Sequence, residues 1–501
     1  MRCLRLAFIG APLAAVAGIL TGDLLGPGGA GATLVLAGAA AVVLALARSP
    51  VVRSVVLVVA VVALGCALER RALDGLMSGA VVAAAAARAD AVVRGSLVDD
   101  PEGTRWSTRV LLRVERARVR TAAGTRSVAE HRTVLVIAEG DAAVRTAVLA
   151  AGDRVVLRGW LRPLEGFDGR TRWRHAVARF DARDLLDAAP ATVPLALAAN
   201  EARTIVLRGT DGLAPSEAAL VAGFLLGDTR DLPPEVLEQF RASGLSHLLA
   251  VSGANVAFVL ALVGPLLGRS TRGLRLVVTG SVLVVFGAMT RWEPSVLRAC
   301  VMAATAVAAA HVGRPSQGVR ILSVAATALL LVDPFLLRSV GFLLSCGASL
   351  GITVLSGPLA RRLPGPAWLR ESIGTTVAAQ IGVAPVLLAV FGSIPLVCVP
   401  ANLLAVPLAG PLTTWGLTGG VAAGMLRSSA PALSAVLQLP TRVLAQALLG
   451  LAALASSVPA SLDAVDVTVG AAAIVLAAAT VVVRQKRRRM LRERALVVPP
   501  G

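Results

Sequence analysis

Cysteine is scarce in this chain, and its five copies are far apart: Cys3, Cys66, Cys300, Cys346 and Cys398. They make no CxxC pair and no Cys/His metal spacing, which leaves them as small packed residues. Residues 89–189 contain none, so that stretch folds without disulfides. The four histidines, His131, His175, His247 and His311, are scattered, and no His-x-His-x-Asp-His metal run exists. No GxSxG elbow, P-loop or GxGxxG follows a strand, and Ser252 has no sequence neighbour that marks it as a nucleophile. The expectation is therefore no catalytic residue, no metal ligand and no cofactor. Charge is also thin, at 16% of residues, and long windows carry none.

What fills those windows is apolar. Hydrophobic residues make up 56% of the chain, and the mean hydropathy is +0.76. A water-soluble domain must cover its surface with polar groups, so this composition points to a bilayer. The formal net charge is +19 and is almost all arginine. Two readings of that excess stay open: loop charge that sets membrane topology, or a polyanionic ligand.

Three apolar stretches of membrane-spanning type open the chain, at Leu6–Leu24, Ala32–Ala47 and Val55–Leu68. The first is read as a retained span, because no cleavage motif follows it. Arg2, Arg5, Arg48 and Arg53 flank these spans; by the positive-inside rule both clusters are cytoplasmic, so the domain that follows lies outside. That domain, 89–189, alternates apolar and polar residues in Ala91–Val98, Thr108–Val119, Arg132–Ile137 and Asp153–Leu161. Period two with β-branched residues means half-buried strands. About five short strands fit a small closed barrel such as an OB-fold, and the pattern alone does not separate that from a small sandwich.

Residues 194–240 read as helices at the outer interface. A second membrane block covers 245–484, with candidate spans Leu248–Leu267, Leu276–Thr290, Val296–Val312, Ile321–Leu336, Val340–Ser356, Thr375–Phe391, Val397–Met425, Leu433–Leu454 and Val467–Val483. Counting the Pro- and Gly-rich stretch 397–425 as one crossing places both termini in the cytoplasm, with a basic tail at 485–501. The predicted fold is thus a polytopic α-helical membrane protein with an inserted extracytoplasmic all-β (OB-like) domain. Residues 1–70 form its first membrane block, and the cytoplasmic membrane is its predicted location.

Polar side chains in hydrocarbon are costly, so they face a cavity or a partner. His247, Ser252 and Asn255 share one side of an expected helix. Arg298, near Glu293, either pairs with it or faces a route. Gln380 sits deep in an apolar span, Asn402 follows Pro400, and Asp333-Pro334 reads as a helix break. In the strand domain, Trp160 and Phe180 read as core. Arg105-Trp106 and Arg172-Trp173-Arg174 read as exposed stacking and phosphate contacts.

Gly223–Asn255 (GFLLGDTRDLPPEVLEQFRASGLSHLLAVSGAN) closely resembles the signature of the ComEC/Rec2 family of DNA-uptake channels. Ser295–Cys300 (SVLRAC), Leu331–Ile352 and Val377–Pro407, with PANLLAVP at 400–407, follow in the family's order. At Ala254-Asn255 many members carry Leu-His. The resemblance implies single-stranded DNA carried across the cytoplasmic membrane during natural transformation. It places Asp228, His247, Ser252, Arg298, Gln380 and Asn402, with Gly227, Gly253 and Asp333, in the membrane core; Asn255, at the departure, joins the channel-path candidates from its place beside Ser252. Implied partners are single-stranded DNA, the lipid bilayer, a separate DNA receptor, a cytoplasmic ATP-driven motor and a separate nuclease. The nuclease is expected elsewhere because this sequence ends at Gly501 without the metallo-β-lactamase-like domain of many relatives. Another cargo on the same fold, or a structural protein without cargo, are the competing readings.

Overall fold

The computed structural model describes residues 2–46, 49–103, 106–121, 124–313, 317–458 and 461–463. Arg105, the expected span Val467–Val483 and the basic tail lie outside them.

The N-terminal apolar runs form α1 (Arg2–Leu25), α2 (Ala30–Leu46) and α3 (Pro50–Met77). Between α1 and α3 the contact is made by small residues: Gly18 and Gly22 lie against the Val62 and Cys66 backbone, and Gly65 against the Ala15 carbonyl. A Cβ at Gly18 would overlap the Val62 carbonyl. Apolar lipid gives helices no hydrophobic reason to associate, so close backbone approach is what holds them.

A short helix, α4 (Ala80–Ala86), leads into the strand domain. Its strands are β1 (Asp90–Leu97), β2 (Glu102–Gly103), β3 (Ser107–Thr121), β4 (Gly124–Val128), β5 (Arg132–Glu139), β6 (Arg154–Arg162) and β7 (Ala176–Ala189), with α5 (Gly140–Ala147) between β5 and β6. Pairing runs β1–β6–β7–β5–β3, and β3 pairs back to β1, so five strands close a ring. Every ring pair is antiparallel except β5–β7, which is parallel. The closure separates barrel from sandwich, which alternation could not do. Val93, Leu112, Val136, Leu157 and Phe180 fill the ring, and Val81 of α4 and Ala142 of α5 join the same core. Trp160 differs from expectation: Leu157 and Leu161 point inward, so period two turns Trp160 outward, 40% exposed.

Eleven turns of apolar and mixed sequence follow as α6 (Pro194–Thr210), α7 (Pro215–Leu226) and α8 (Pro234–Ala242). Ala219–Leu226 of α7 are all buried, so α7 is enclosed by helices rather than resting on a surface. Then come α9 (Ser246–Leu249), α10 (Gly253–Val263), α11 (Arg272–Met289), α12 (Pro294–His311), α13 (Gly318–Val332), α14 (Val340–Ala360), α15 (Ala367–Phe391), α16 (Cys398–Trp415), α17 (Val421–Leu426) and α18 (Pro431–Ser456).

Among the described residues, five helices are long and apolar enough to cross a membrane: Val51–Met77, Pro294–His311, Val340–Ala360, Ala367–Phe391 and Pro431–Ser456. Shorter apolar helices accompany them, among them Gly10–Leu25, Ala30–Leu44, Gly273–Met289 and Gly318–Val332. The expected continuous span Leu248–Leu267 is instead broken: Ala250 and Ser252 are extended, and α10 restarts at Gly253. The stretch 397–425 is one continuous helical rod, in which a π-turn at Gly416–Gly420 joins α16 to α17. Gly347 and Gly351 of α14 meet Gly382 and Ala378 of α15 backbone to backbone.

Candidate functional site

Two polar clusters stand out, one where the strand domain meets the helices and one at the helix break. The first is built on Arg203, in the buried face of α6. Its Nη1 donates to the carbonyls of Met289 (2.7 Å) and Leu226 (3.2 Å). Its Nη2 lies 2.9 Å from Asp100 and 3.0 Å from Asp228. Arg230 closes on Asp228 with two donors, at 2.6 and 2.8 Å. Arg291 grips both oxygens of Asp100, at 2.6 and 3.0 Å. Asp100 also accepts from the Ala151 amide at 3.0 Å. A cleft of about 430 Å³ opens over this network between Pro101, Leu149 and Thr204.

Burial works against ionised Asp100 and Asp228, yet the arginines win and hold both carboxyls below the usual range. Burial lowers Arg203, and the two aspartates only partly offset it. Removing one member of such a pair strands a buried charge, which costs about 3–5 kcal/mol. Arg291 and Trp292 both adopt left-handed backbone, φ 55°. For such residues that conformation is uncommon and costs about 1–3 kcal/mol each. The Arg291–Asp100 pairing and the packing of the Trp292 ring over Gly287 hold it in place.

The second cluster surrounds the unwound segment Ala250–Ser252. Ser295 at the start of α12 donates to the Val251 carbonyl at 2.7 Å. Asn255 donates to the Phe224 carbonyl of α7 at 2.7 Å and accepts from Ser252 Oγ at 3.3 Å. Arg298 packs against Gly253, where a Cβ would come within 2.9 Å of its guanidinium. Arg298 Nε donates to Ser345 Oγ of α14 at 2.7 Å, and Nη1 reaches Met302 Sδ, also at 2.7 Å. Glu293 is therefore not its partner. Gly227, left-handed at φ 72°, ends α7 against Val251. Small residues at 223, 227 and 253 let three helix ends converge here.

The structure thus brings Ser252, Asn255 and Arg298 together and places Asp228 in the other cluster. His247 joins neither. It precedes the break, so helical phase does not carry it toward Ser252. Its exposed ring sits 3.2 Å from the Gly244 carbonyl of its own turn. Gln380 and Asn402 lie apart, on the adjacent helices α15 and α16, and the side-chain oxygen of each is buried without a partner. Asp333 does end α13, its carboxylate accepting from the Phe335 amide at 3.0 Å.

In the strand domain, Trp106 is 80% exposed. Trp173 is engaged within the fold: Arg338 stacks over its ring at 4.2 Å, and Phe335 meets it edge-on. Arg174 pairs with Asp99 at 2.7 Å, while Arg172 lies 6.0 Å over the Trp173 ring. Sequence reasoning missed Asp100, Arg203 and Arg291. The signal for Arg203 was a lone cation on the apolar side of Ala199–Val206. Among the described residues, no group of three or more His, Cys, Asp or Glu could hold a metal ion.

Stacked apolar helices with a separate β-rich region define a multi-pass membrane protein. Residues 224–487 match the family described as "Competence protein", which is more than half of the chain. The chain belongs to this ComEC/Rec2 competence family. It is 29% identical over 220 residues to ComE operon protein 3 of Bacillus subtilis (strain 168), covering 43% of this chain and 27% of that protein. It is 28% identical over 207 residues to uncharacterized protein YcaI of Escherichia coli (strain K12), covering 38% of this chain and 27% of that one. The chain thus spans about a quarter of the length of each of these relatives. No solved structure matches it.

Proposed function

We propose that this protein acts as a DNA-uptake channel rather than an enzyme, carrying single-stranded DNA across the cytoplasmic membrane during natural transformation. The observation that carries the reading is the polar helix break at 250–252. It lies inside the family-matched region and gathers Ser252, Asn255 and Arg298 at helix ends that hydrocarbon would reject. A polyanion needs such a wet, polar path with cationic relief. Asp228 belongs to the anchor beside it; His247, Gln380 and Asn402 are assigned to the path. We read the strand domain as OB-like. A closed five-strand ring with one parallel pair and a helix before β6 supports this. The positive-inside pattern supports an extracytoplasmic strand domain with cytoplasmic termini, where Arg105, Trp106, Arg172, Trp173 and Arg174 are candidate DNA contacts. A separate receptor, motor and nuclease complete the assignment.

Deleting the coding sequence in its source cell and tracing labelled DNA to each side of the membrane tests this. The reading predicts label held outside and transformants lost. Normal uptake after deletion would point instead to another cargo or to no cargo.

A further inference from the structure

The outer surface of β6, β1 and β3 is a lane of arginine. Alternation turns Val93, Gly95 and Leu97 of β1 inward and leaves Asp90, Val92, Arg94 and Ser96 outside. Strand register then lines up four rows. Trp160, Asp90 and Arg120 form the first, and Arg158, Val92 and Arg118 the second. Val156, Arg94 and Arg116 form the third, and Arg154, Ser96 and Arg113 the fourth. Seven of these twelve outward positions are arginine and one is acidic. None of the seven makes an ion pair among the described residues.

Elsewhere in the same domain Arg109, Arg132, Arg162, Arg174 and Arg179 each hold a carboxylate. A merely solvated face needs no such segregation. Arg94 stands directly opposite Arg116, and like charges in register destabilise a sheet. An anion bridging them would relieve that cost.

The shape of the face narrows the anion. Bulges fall at Arg94/Gly95 and Arg158/Gly159. There the glycines let the Arg113 and Asp181 carbonyls approach where a Cβ would overlap them. Bulges raise strand twist, and a closed ring of tilted strands is convex. A linear polyanion can follow rows that wind around such a surface. A planar bilayer touches only a few of them at once. Trp160, exposed at one end, offers a stacking ring. At the other end β1 runs on, three residues past Leu97, to Asp100 in the cleft with Arg203, Arg230 and Arg291.

We propose that the outer face of β6, β1 and β3 is a track for the sugar–phosphate backbone of single-stranded nucleic acid, with Trp160 stacking a base at its end. The proposal rests on the channel reading and gives the strand domain a contact surface separate from Arg105-Trp106 and Arg172–Arg174.

The test uses the full chain in phosphatidylcholine nanodiscs, titrated with a fluorescent thymidine oligonucleotide across a salt series. The variant R94S/R116S/R118S/R158S should bind at least tenfold more weakly at low salt. Each phosphate contact contributes about 0.7 to the slope of log affinity against log salt for single strands, so four lost contacts should flatten that slope by about 3. The Arg-to-Lys version of the same four should retain most of the slope, and R145S/R241S, on other surfaces, should leave it unchanged. The melting temperature of the serine variant should not fall, since a like-charge pair is removed. Wild-type binding with an unchanged slope in the variant would overturn the track and leave the channel reading standing. So would an equal loss in R145S/R241S, no wild-type binding at low salt, or a variant that loses only affinity for phosphatidylglycerol vesicles. Transformation after deletion is scored separately and bears on the channel alone.

Discussion

The junction cluster and the isolated buried amides of the helix block are built on opposite principles. At the junction of strand domain and helices, Asp100, Arg203, Asp228, Arg230 and Arg291 are all paired: Arg203 alone meets two carboxylates and two carbonyls. In the helix block, the side-chain oxygens of Gln380, Asn402 and Gln438 are buried with no partner. A satisfied network fixes geometry, and an unsatisfied buried polar atom costs about 1–3 kcal/mol unless something else fills the gap. The difference teaches that the first region is an anchor and the second is kept polar for a reason other than stability.

The sharpest way to break that contrast is Arg203→Ala. It strands Asp100 and Asp228 in a buried site, and we expect a loss of about 3–5 kcal/mol. Thermal unfolding in detergent should drop steeply, and limited proteolysis should show the strand domain released from the helices. A melting temperature within a degree or two of wild type would deny the anchor.

Gly351→Val comes next. Its side chain would collide with the Ala378 carbonyl across α14 and α15. Overpacking of this kind costs about 1–3 kcal/mol, read as a lower melting temperature with the strand domain still docked.

The anchor should also respond to acid. Asp100 and Asp228 have folded-state pKa values below their unfolded ones. Their contribution is therefore fully present above the unfolded value of about 3.9 and is lost as pH falls through the lowered folded values. Stability followed from pH 6 downward should be flat until about pH 4 and then fall. In Asp100→Asn that acid-sensitive component should shrink.

Asn255→Ala should cost about 1–2 kcal/mol, because the Phe224 carbonyl loses its donor. Gln380→Leu should cost least, under about 1 kcal/mol or even a gain, since it removes a buried amide oxygen that has no partner, at similar volume. Both should depress uptake, and Gln380→Leu separates a polar path from a mere helix bridge.

Much of this was legible in the sequence. Hydropathy marked the apolar helices, and alternation at Ala91–Val98 and Asp153–Leu161 marked β1 and β6, because one buried face leaves a strict period. The break at 250–252 was not legible as a break. His247, Ser252 and Asn255 sit at plausible helical spacing, and only packing of Ser295 and Gly253 against the segment shows that it is unwound. The anchor was half visible: Asp228 lies in a long motif, whereas Asp100 and Arg291 are 191 residues apart and meet only in the fold. Trp160 was misplaced by its size, since bulk suggested core while its phase between Leu157 and Leu161 pointed outward.

The most direct measurement of the central claim is DNase-protected labelled DNA taken up by cells carrying Gln380→Leu, normalised to the amount of protein in the membrane. The account predicts normal protein levels with protected label reduced at least severalfold. Protected label equal to wild type at equal protein would contradict it and return the polar residues of the helix block to a purely structural role.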